Sequence, residues 1–105
     1  MRPEFLLSLA LLATPTLAEV PAIVADTPVT ASLVQQVLGD LGQPVLLLDK
    51  GADPHDFQLR PSQARALQDA DLLICVGPEL TPWLDRAATQ IAPQKQLSLL
   101  RLRVW

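Results

Sequence analysis

The residues of this chain that could do chemistry lie in one short polar stretch, between positions 49 and 58. The stretch contains the single histidine of the chain, His55, together with Asp49, Asp53 and Asp56. A neutral imidazole is the commonest protein ligand for zinc, and neighbouring carboxylates attract or neutralise a divalent cation. Zinc takes about four ligands, so one imidazole does not complete a site. Two interpretations therefore stay open: His55 is a metal ligand, or it is a polar loop residue that hydrogen-bonds its own turn, and these local features alone favour the second.

Other functional classes find little support in the residues. The four glycines are scattered, with no Gly-x-Ser-x-Gly elbow and no phosphate-binding loop. No serine or cysteine nucleophile is placed to partner His55, so we expect no enzyme, and a small hydrolase ranks last. Cys75 lies inside the apolar run Leu-Leu-Ile-Cys-Val and is predicted to be a small buried hydrophobe. Trp83 is predicted to pack a helix against the sheet rather than to bind a ligand.

Composition indicates one small domain. The chain has 105 residues, half of them apolar, only 18% charged, and a net charge of −3. The mildly acidic balance argues against nucleic-acid binding, which requires a basic surface. The single cysteine excludes an internal disulfide.

The first 18 residues have the order of a secretory signal: a positive start, an apolar run and a small-residue exit at Ala18. The apolar run, residues 5–13, is too short to cross a bilayer, which takes about 20 residues. A buried N-terminal helix is the weaker alternative. We therefore expect a signal peptide over residues 1–18, export to the periplasm, and a partial α/β lobe over residues 19–105.

Short apolar runs alternate with helical patterns along the rest of the chain. Strands are predicted at 22–25, 45–48, 72–76 and 96–100, the second of them buried on both faces. Helices are predicted from a Thr30 cap to Leu41, from a Ser62 N-cap to Ala70, and from about Pro82 to Gln90. The first helix carries an apolar stripe made of Leu33, Val34, Val37, Leu38 and Leu41. Alternation with short loops predicts the α/β class, a parallel sheet with flanking helices, with His55 beyond the carboxyl end of the second strand, where such sheets bind ligands.

Two motifs carry a resemblance to a known family. The run Gly-Ala-Asp-Pro-His-Asp-Phe-Gln-Leu-Arg-Pro-Ser, residues 51–62, closely resembles the first metal-binding segment of periplasmic zinc-uptake solute-binding proteins. Residues 68–80, with Ala-Asp-Leu and Val-Gly-Pro-Glu-Leu, are similar to a second stretch of that family. The resemblance implies the N-terminal lobe of a two-lobed metal-binding solute receptor, with His55 as its first zinc ligand. It also implies that residues 60–62 start the helix behind the site and orient the loop.

The resemblance implies a concrete function. The protein would capture Zn²⁺ as a monomer in the periplasm and deliver it to the membrane permease of an ABC transporter. The family's further histidines and its acidic ligand lie beyond the matched part, and Pro54 stands where some zinc receptors have an acidic residue. Two alternatives remain at this point: a manganese-binding relative of the same family, and a truncated fragment without function.

Overall fold

A computed structural model describes residues 19–103, which form an α/β unit around one parallel sheet. The predicted signal peptide therefore lies outside the described residues. The strands are β1 (Ile23–Ala25), β2 (Val45–Leu46), β3 (Leu72–Cys75) and β4 (Gln96–Ser98). The helices are α1 (Pro28–Leu38), α2 (Pro61–Gln68) and α3 (Pro82–Ala87), with short 3₁₀ turns at Gly39–Leu41, Pro93–Lys95 and Leu99–Arg101.

The sheet has the strand order β2-β1-β3-β4, and every neighbouring pair is parallel. All four strands therefore present their carboxyl ends at one edge, which is where the loops after β1, β2 and β3 meet. The predicted fold class is confirmed. None of the helices within residues 19–103 is long and apolar enough to cross a membrane.

The core lies on the face of the sheet that α2 and α3 cover. Alternate strand residues supply it, because successive side chains of a strand point to opposite faces. Its buried members are Val24, Leu47, Leu48, Leu67, Ala70, Leu73, Trp83, Leu84 and Ala88. Three side chains from the loop after β2 pack against them, so that loop is anchored to the interior: Ala52, Phe57 and Leu59.

Residues 19–103 cover the opposite face of the sheet only in part. Helix α1 packs on β1 and β2, and an apolar groove of about 340 Å³ separates it from β3 and β4. The predicted stripe of α1 is therefore mostly exposed: Val34 is buried, whereas Leu33 and Val37 are 50% and 86% exposed. Burial of that stripe needs apolar surface beyond what β1 and β2 provide.

The second predicted strand is wrong in extent and in burial. Only Val45 and Leu46 form the strand, and they are 44% and 36% exposed because β2 is the edge of the sheet. Leu47 and Leu48 are buried, and their N–H groups donate to the carbonyls of Ala25 and Asp26, so the chain still runs beside the end of β1 after β2 has ended. The continuous apolar run predicted a strand buried on both faces, but Val45 and Leu46, two of its four residues, lie on the exposed edge of the sheet.

Both predicted N-caps are wrong, because each helix begins earlier, at a proline that precedes the predicted cap. Thr27, not Thr30, caps α1: its hydroxyl accepts from the Thr30 N–H at 3.4 Å, and Pro28 takes the first helical position. Helix α2 begins at Pro61, so Ser62 lies within it and is not the cap. A proline at the first helical position lacks an N–H that the helix would leave unpaired, which favours starting there.

Candidate metal site

His55 lies on the loop between β2 and α2, at the carboxyl edge of the parallel sheet. We call residues 49–60 the His55 loop. Its backbone turns twice, with hydrogen bonds from the Ala52 N–H to the Asp49 carbonyl at 2.9 Å and from the Asp56 N–H to the Asp53 carbonyl at 3.3 Å. Open parallel sheets bind ligands at this edge, so the histidine stands where the sequence predicted it.

The imidazole of His55 is accessible and is held through one of its two nitrogens. Its side chain is 63% exposed, and Nδ1 lies 3.3 Å from Oδ1 of Asp53. The same oxygen accepts the backbone N–H of His55 at 2.9 Å, closing a turn within the loop. That backbone hydrogen bond is the main cause that lowers the pKa of the Asp53 carboxyl below its ordinary value.

This arrangement favours one tautomer of the ring. A carboxylate accepts but does not donate, so Nδ1 carries the proton and the lone pair is left on Nε2. Histidines that bind metals usually donate their second ring N–H in this way, which fixes the orientation of the ring and raises its basicity. His55 thus hydrogen-bonds its own turn, as the second interpretation predicts, and within residues 19–103 its Nε2 has no hydrogen-bond partner; its role as a metal ligand stays a prediction.

The ends of the His55 loop are joined by an ion pair. The guanidinium of Arg60 donates to both carboxylate oxygens of Asp49, at 2.7 and 3.0 Å. The paired geometry is the strong form of this contact, although both side chains are about half exposed. Asp49 is engaged with a cation of the protein itself, so it serves to close the loop.

The Gln63 side chain fixes the Arg60 end of the loop to the residue that follows β2. Its amide N–H donates to the Leu47 carbonyl at 2.7 Å, and its Oε1 accepts the Arg60 N–H at 2.7 Å. Gln63 is buried, so these bonds form out of water and leaving either group unpaired would be costly. The implied role of residues 60–62 in orienting the loop therefore extends to Gln63, which the sequence did not single out.

The middle of the loop is held by helix α3. Nε1 of Trp83 donates to the Pro54 carbonyl at 2.7 Å. The Trp83 ring also packs against Phe57, with ring centroids 5.3 Å apart at a 60° tilt. Trp83 is buried in the core, as predicted, but its hydrogen bond to the loop was missed.

Cys75 does not offer a metal-binding thiolate. Burial, together with the nearby carboxylates of Asp26 and Asp85, raises the pKa of its thiol to about 11. The thiolate is the form that binds metals, so at neutral pH this side chain remains a thiol; it is half-buried, whereas the sequence predicted a buried side chain.

A complete metal site is not present in residues 19–103. No group of three or more His, Cys, Asp or Glu side chains in this range is arranged to hold an ion. A shallow depression of about 390 Å³ adjoins the loop, and its walls include Thr27, Leu48, Pro54, Val76 and Leu80. Further ligands for a cation on His55 would have to approach from outside this range.

Comparison with known proteins decides the family. The profile of the family described as "Zinc-uptake complex component A periplasmic" (ZnuA) matches residues 23–102. The chain belongs to this family. The description of this family names zinc as the ion taken up.

Two curated relatives show how much of a family member the chain spans. The high-affinity zinc uptake system protein ZnuA of Paracoccus denitrificans is 60% identical over 103 residues, which cover 95% of this chain and 32% of the relative. The protein of the same name from Yersinia pestis is 39% identical over 97% of this chain, again covering 32% of the relative. The chain therefore spans about a third of the length of these relatives.

Solved structures share the fold. The metal-dependent lipoprotein YcdH of Bacillus subtilis superposes with a TM-score of 0.64 at 22% identity, over 75% of this chain and 30% of that one. The Zn(II)-bound ZnuA-like domain of AdcA from Streptococcus pneumoniae gives 0.62 at 22% identity, over 74% and 29%. At these identities the likeness establishes the architecture: the described residues share the α/β fold of part of each of these proteins.

Proposed function

We propose that this chain is the zinc-capturing N-terminal part of a periplasmic receptor, and that His55 is one of its zinc ligands. One observation carries the proposal: the imidazole is exposed at the carboxyl edge of the sheet, with Nδ1 on Asp53 and no partner for Nε2 among residues 19–103. The remaining ligands come from the part of the receptor that lies outside the matched third. Residues 1–18 act as a cleaved signal peptide, and the receptor delivers Zn²⁺ as a monomer to an ABC permease.

The chemistry of the donor supports zinc as the cargo. An imidazole nitrogen suits zinc, whereas manganese prefers harder oxygen ligands. Asp53 contacts the ring at Nδ1 and not at Nε2, so it orients the imidazole and leaves Nε2 to face a cation. The role is binding without catalysis, in keeping with the solute receptors that make up the family.

Calorimetric zinc titration of the chain, prepared without a polyhistidine tag, tests the ligand role. Wild type is expected to release heat on zinc binding, and His55→Ala to lose most of it. Asp56→Ala is the matched control, because Asp56 is an exposed neighbour whose side chain makes no hydrogen bond within residues 19–103. Zinc binding that survives unchanged in His55→Ala would refute the ligand role.

A chimaera with the rest of a receptor is expected to bind zinc more tightly than the chain alone, which makes the effect of a substitution easier to measure. Residues 23–102 would replace the matched third of the Paracoccus denitrificans relative, which supplies the rest of the receptor. The chimaera is expected to bind zinc in preference to manganese, and to bind zinc at least tenfold more weakly after His55→Ala. A chimaera that prefers manganese would contradict the assignment of the cargo.

Export is tested separately by fractionation of bacteria that express the chain. The periplasmic fraction should contain a product whose first residue is Glu19, the residue after the predicted cleavage point. A product that keeps Met1 and stays in the cytoplasm would contradict the assignment of residues 1–18.

A further inference from the structure

Trp83 contacts the His55 loop on both sides of the histidine, through a backbone carbonyl before it and a side-chain ring after it. Its indole N–H donates to the carbonyl of Pro54, the residue before His55, at 2.7 Å. Its ring packs on Phe57, two residues after His55, at a centroid distance of 5.3 Å. Trp83 itself is 7% exposed and belongs to the core. A rigid interior side chain therefore holds the stretch of backbone from which the exposed imidazole projects.

The other contacts of the loop hold residues 54–57 less firmly than Trp83 does. The Asp49–Arg60 ion pair joins the two ends of the loop, and it is exposed to solvent. The Asp53 contact comes from within the loop and moves with it. The position of His55 relative to the sheet thus depends on what ties residues 54–57 to the interior, and Trp83 provides both a hydrogen bond and a packed face.

The hydrogen bond matters because its donor is buried. An indole N–H that is removed from water needs an acceptor, and one left unpaired carries the full cost of its lost hydration. Any displacement of the Pro54 carbonyl breaks the bond, so the bond opposes movement of the residue next to His55. A phenylalanine at position 83 would keep the packed ring and remove this restraint.

We infer that Trp83 is a positioning residue for metal binding. It touches no ion; it fixes the main chain at residues 54–57 so that Nε2 of His55 meets zinc in one place. The inference rests on the proposed role of His55 as a ligand. A purely structural Trp83 would instead stabilise the fold without any specific effect on zinc binding.

A double-mutant cycle separates these two roles. Trp83→Phe is expected to raise the dissociation constant for zinc about three- to tenfold, the effect of losing one hydrogen bond behind a ligand. In the His55→Ala background, the same substitution should leave residual zinc binding unchanged. Replacement of Trp83 by β-(3-benzothienyl)alanine, which substitutes sulfur for the N–H in a ring of the same shape, should reproduce the effect of Trp83→Phe.

Leu84→Val is the matched control. Leu84 lies beside Trp83 on α3 and is equally buried, but it makes no hydrogen bond to the loop. Amide hydrogen exchange of the zinc-free protein gives a readout that does not require zinc. Exchange at residues 53–57 should accelerate about three- to tenfold in Trp83→Phe and stay near wild type in Leu84→Val.

The outcomes are distinct. If His55→Ala weakens zinc binding while Trp83→Phe matches Leu84→Val in zinc affinity and in loop exchange, the positioning role is wrong and the ligand role stands. An effect of Trp83→Phe that persists in the His55→Ala background would also overturn the inference. If His55→Ala itself changes nothing, the proposed function fails, and the positioning role fails with it.

Discussion

The guanidinium of Arg60 and the carboxylate of Asp49 form a two-point ion pair, with N–O distances of 2.7 and 3.0 Å, between residues that are 11 apart in sequence. The pair closes the His55 loop at its base. The buried Gln63 side chain also bonds the Arg60 N–H and the Leu47 carbonyl, so both ends of the loop are fixed where it leaves the sheet and where it enters α2. The position of His55 depends first on these two fixed ends.

Arg60→Lys should loosen the loop with little effect on the fold. Lysine keeps the charge but loses the planar fork that meets both carboxylate oxygens. The free energy of unfolding should fall by about 1 kcal/mol or less, because the pair is exposed. Amide exchange within residues 50–58 should accelerate. The control is Arg65→Lys, an exposed arginine on α2, and equal exchange in the two variants would show that the ion pair does not restrain the loop.

Gln63→Ala should destabilise the protein far more than an exposed substitution on the same helix. It removes two hydrogen bonds and leaves the Leu47 carbonyl without its buried donor. We expect a loss of about 1–3 kcal/mol in the free energy of unfolding, measured by urea titration. Gln68→Ala, at an exposed position of α2, should stay within about 0.5 kcal/mol of wild type. Comparable losses in both variants would mean that Gln63 does not act through these bonds.

Asp53→Ala should disturb the tautomer of His55. Without the carboxylate, the proton is no longer held on Nδ1, and the ¹⁵N shifts of the ring should move towards a mixture of tautomers. Zinc affinity should fall about three- to tenfold, at or below the usual effect of removing a carboxylate behind a ligating histidine, because this contact is exposed. Asp56→Ala removes the same charge without the contact. If both variants weaken binding equally, Asp53 acts only through its charge.

The site could be predicted from the sequence to the extent that it is local. The motif at residues 51–62 predicted a histidine at the carboxyl edge of a parallel sheet, and the structure places it there. Asp53 is two residues before His55, so a turn in which its carboxylate accepts the His55 N–H can be predicted from the sequence. Its role as an acceptor on Nδ1 depends on side-chain geometry that the sequence does not contain.

Features that depend on contacts between residues far apart in the sequence were not predicted. Trp83 and Pro54 are 29 residues apart, and their hydrogen bond exists only because α3 packs beside the His55 loop. The exposure of Val45 and Leu46 follows from the strand order, which puts β2 at the edge. An apolar run has the same sequence whether its strand lies at the edge or in the centre of a sheet, and only the strand order distinguishes the two positions.

Cys75 should be nearly inert to alkylation at neutral pH. With its pKa at about 11, only about one thiol in a thousand is ionised at pH 8, and the thiolate is the reactive form. The rate with iodoacetamide should rise about tenfold per pH unit up to pH 10, and it should rise sharply in urea at pH 8. A folded protein that reacts at pH 8 as fast as the unfolded one would contradict the burial of this thiol.

The most direct test of the account is ¹⁵N NMR of the His55 ring during a zinc titration of the chain without a tag. The chain has one histidine, so the two ring nitrogens give an unambiguous pair of signals. The account predicts that zinc shifts the Nε2 resonance to a metal-bound position while Nδ1 stays protonated on Asp53. Zinc binding with an unchanged ring spectrum, or with the metal on Nδ1, would contradict it.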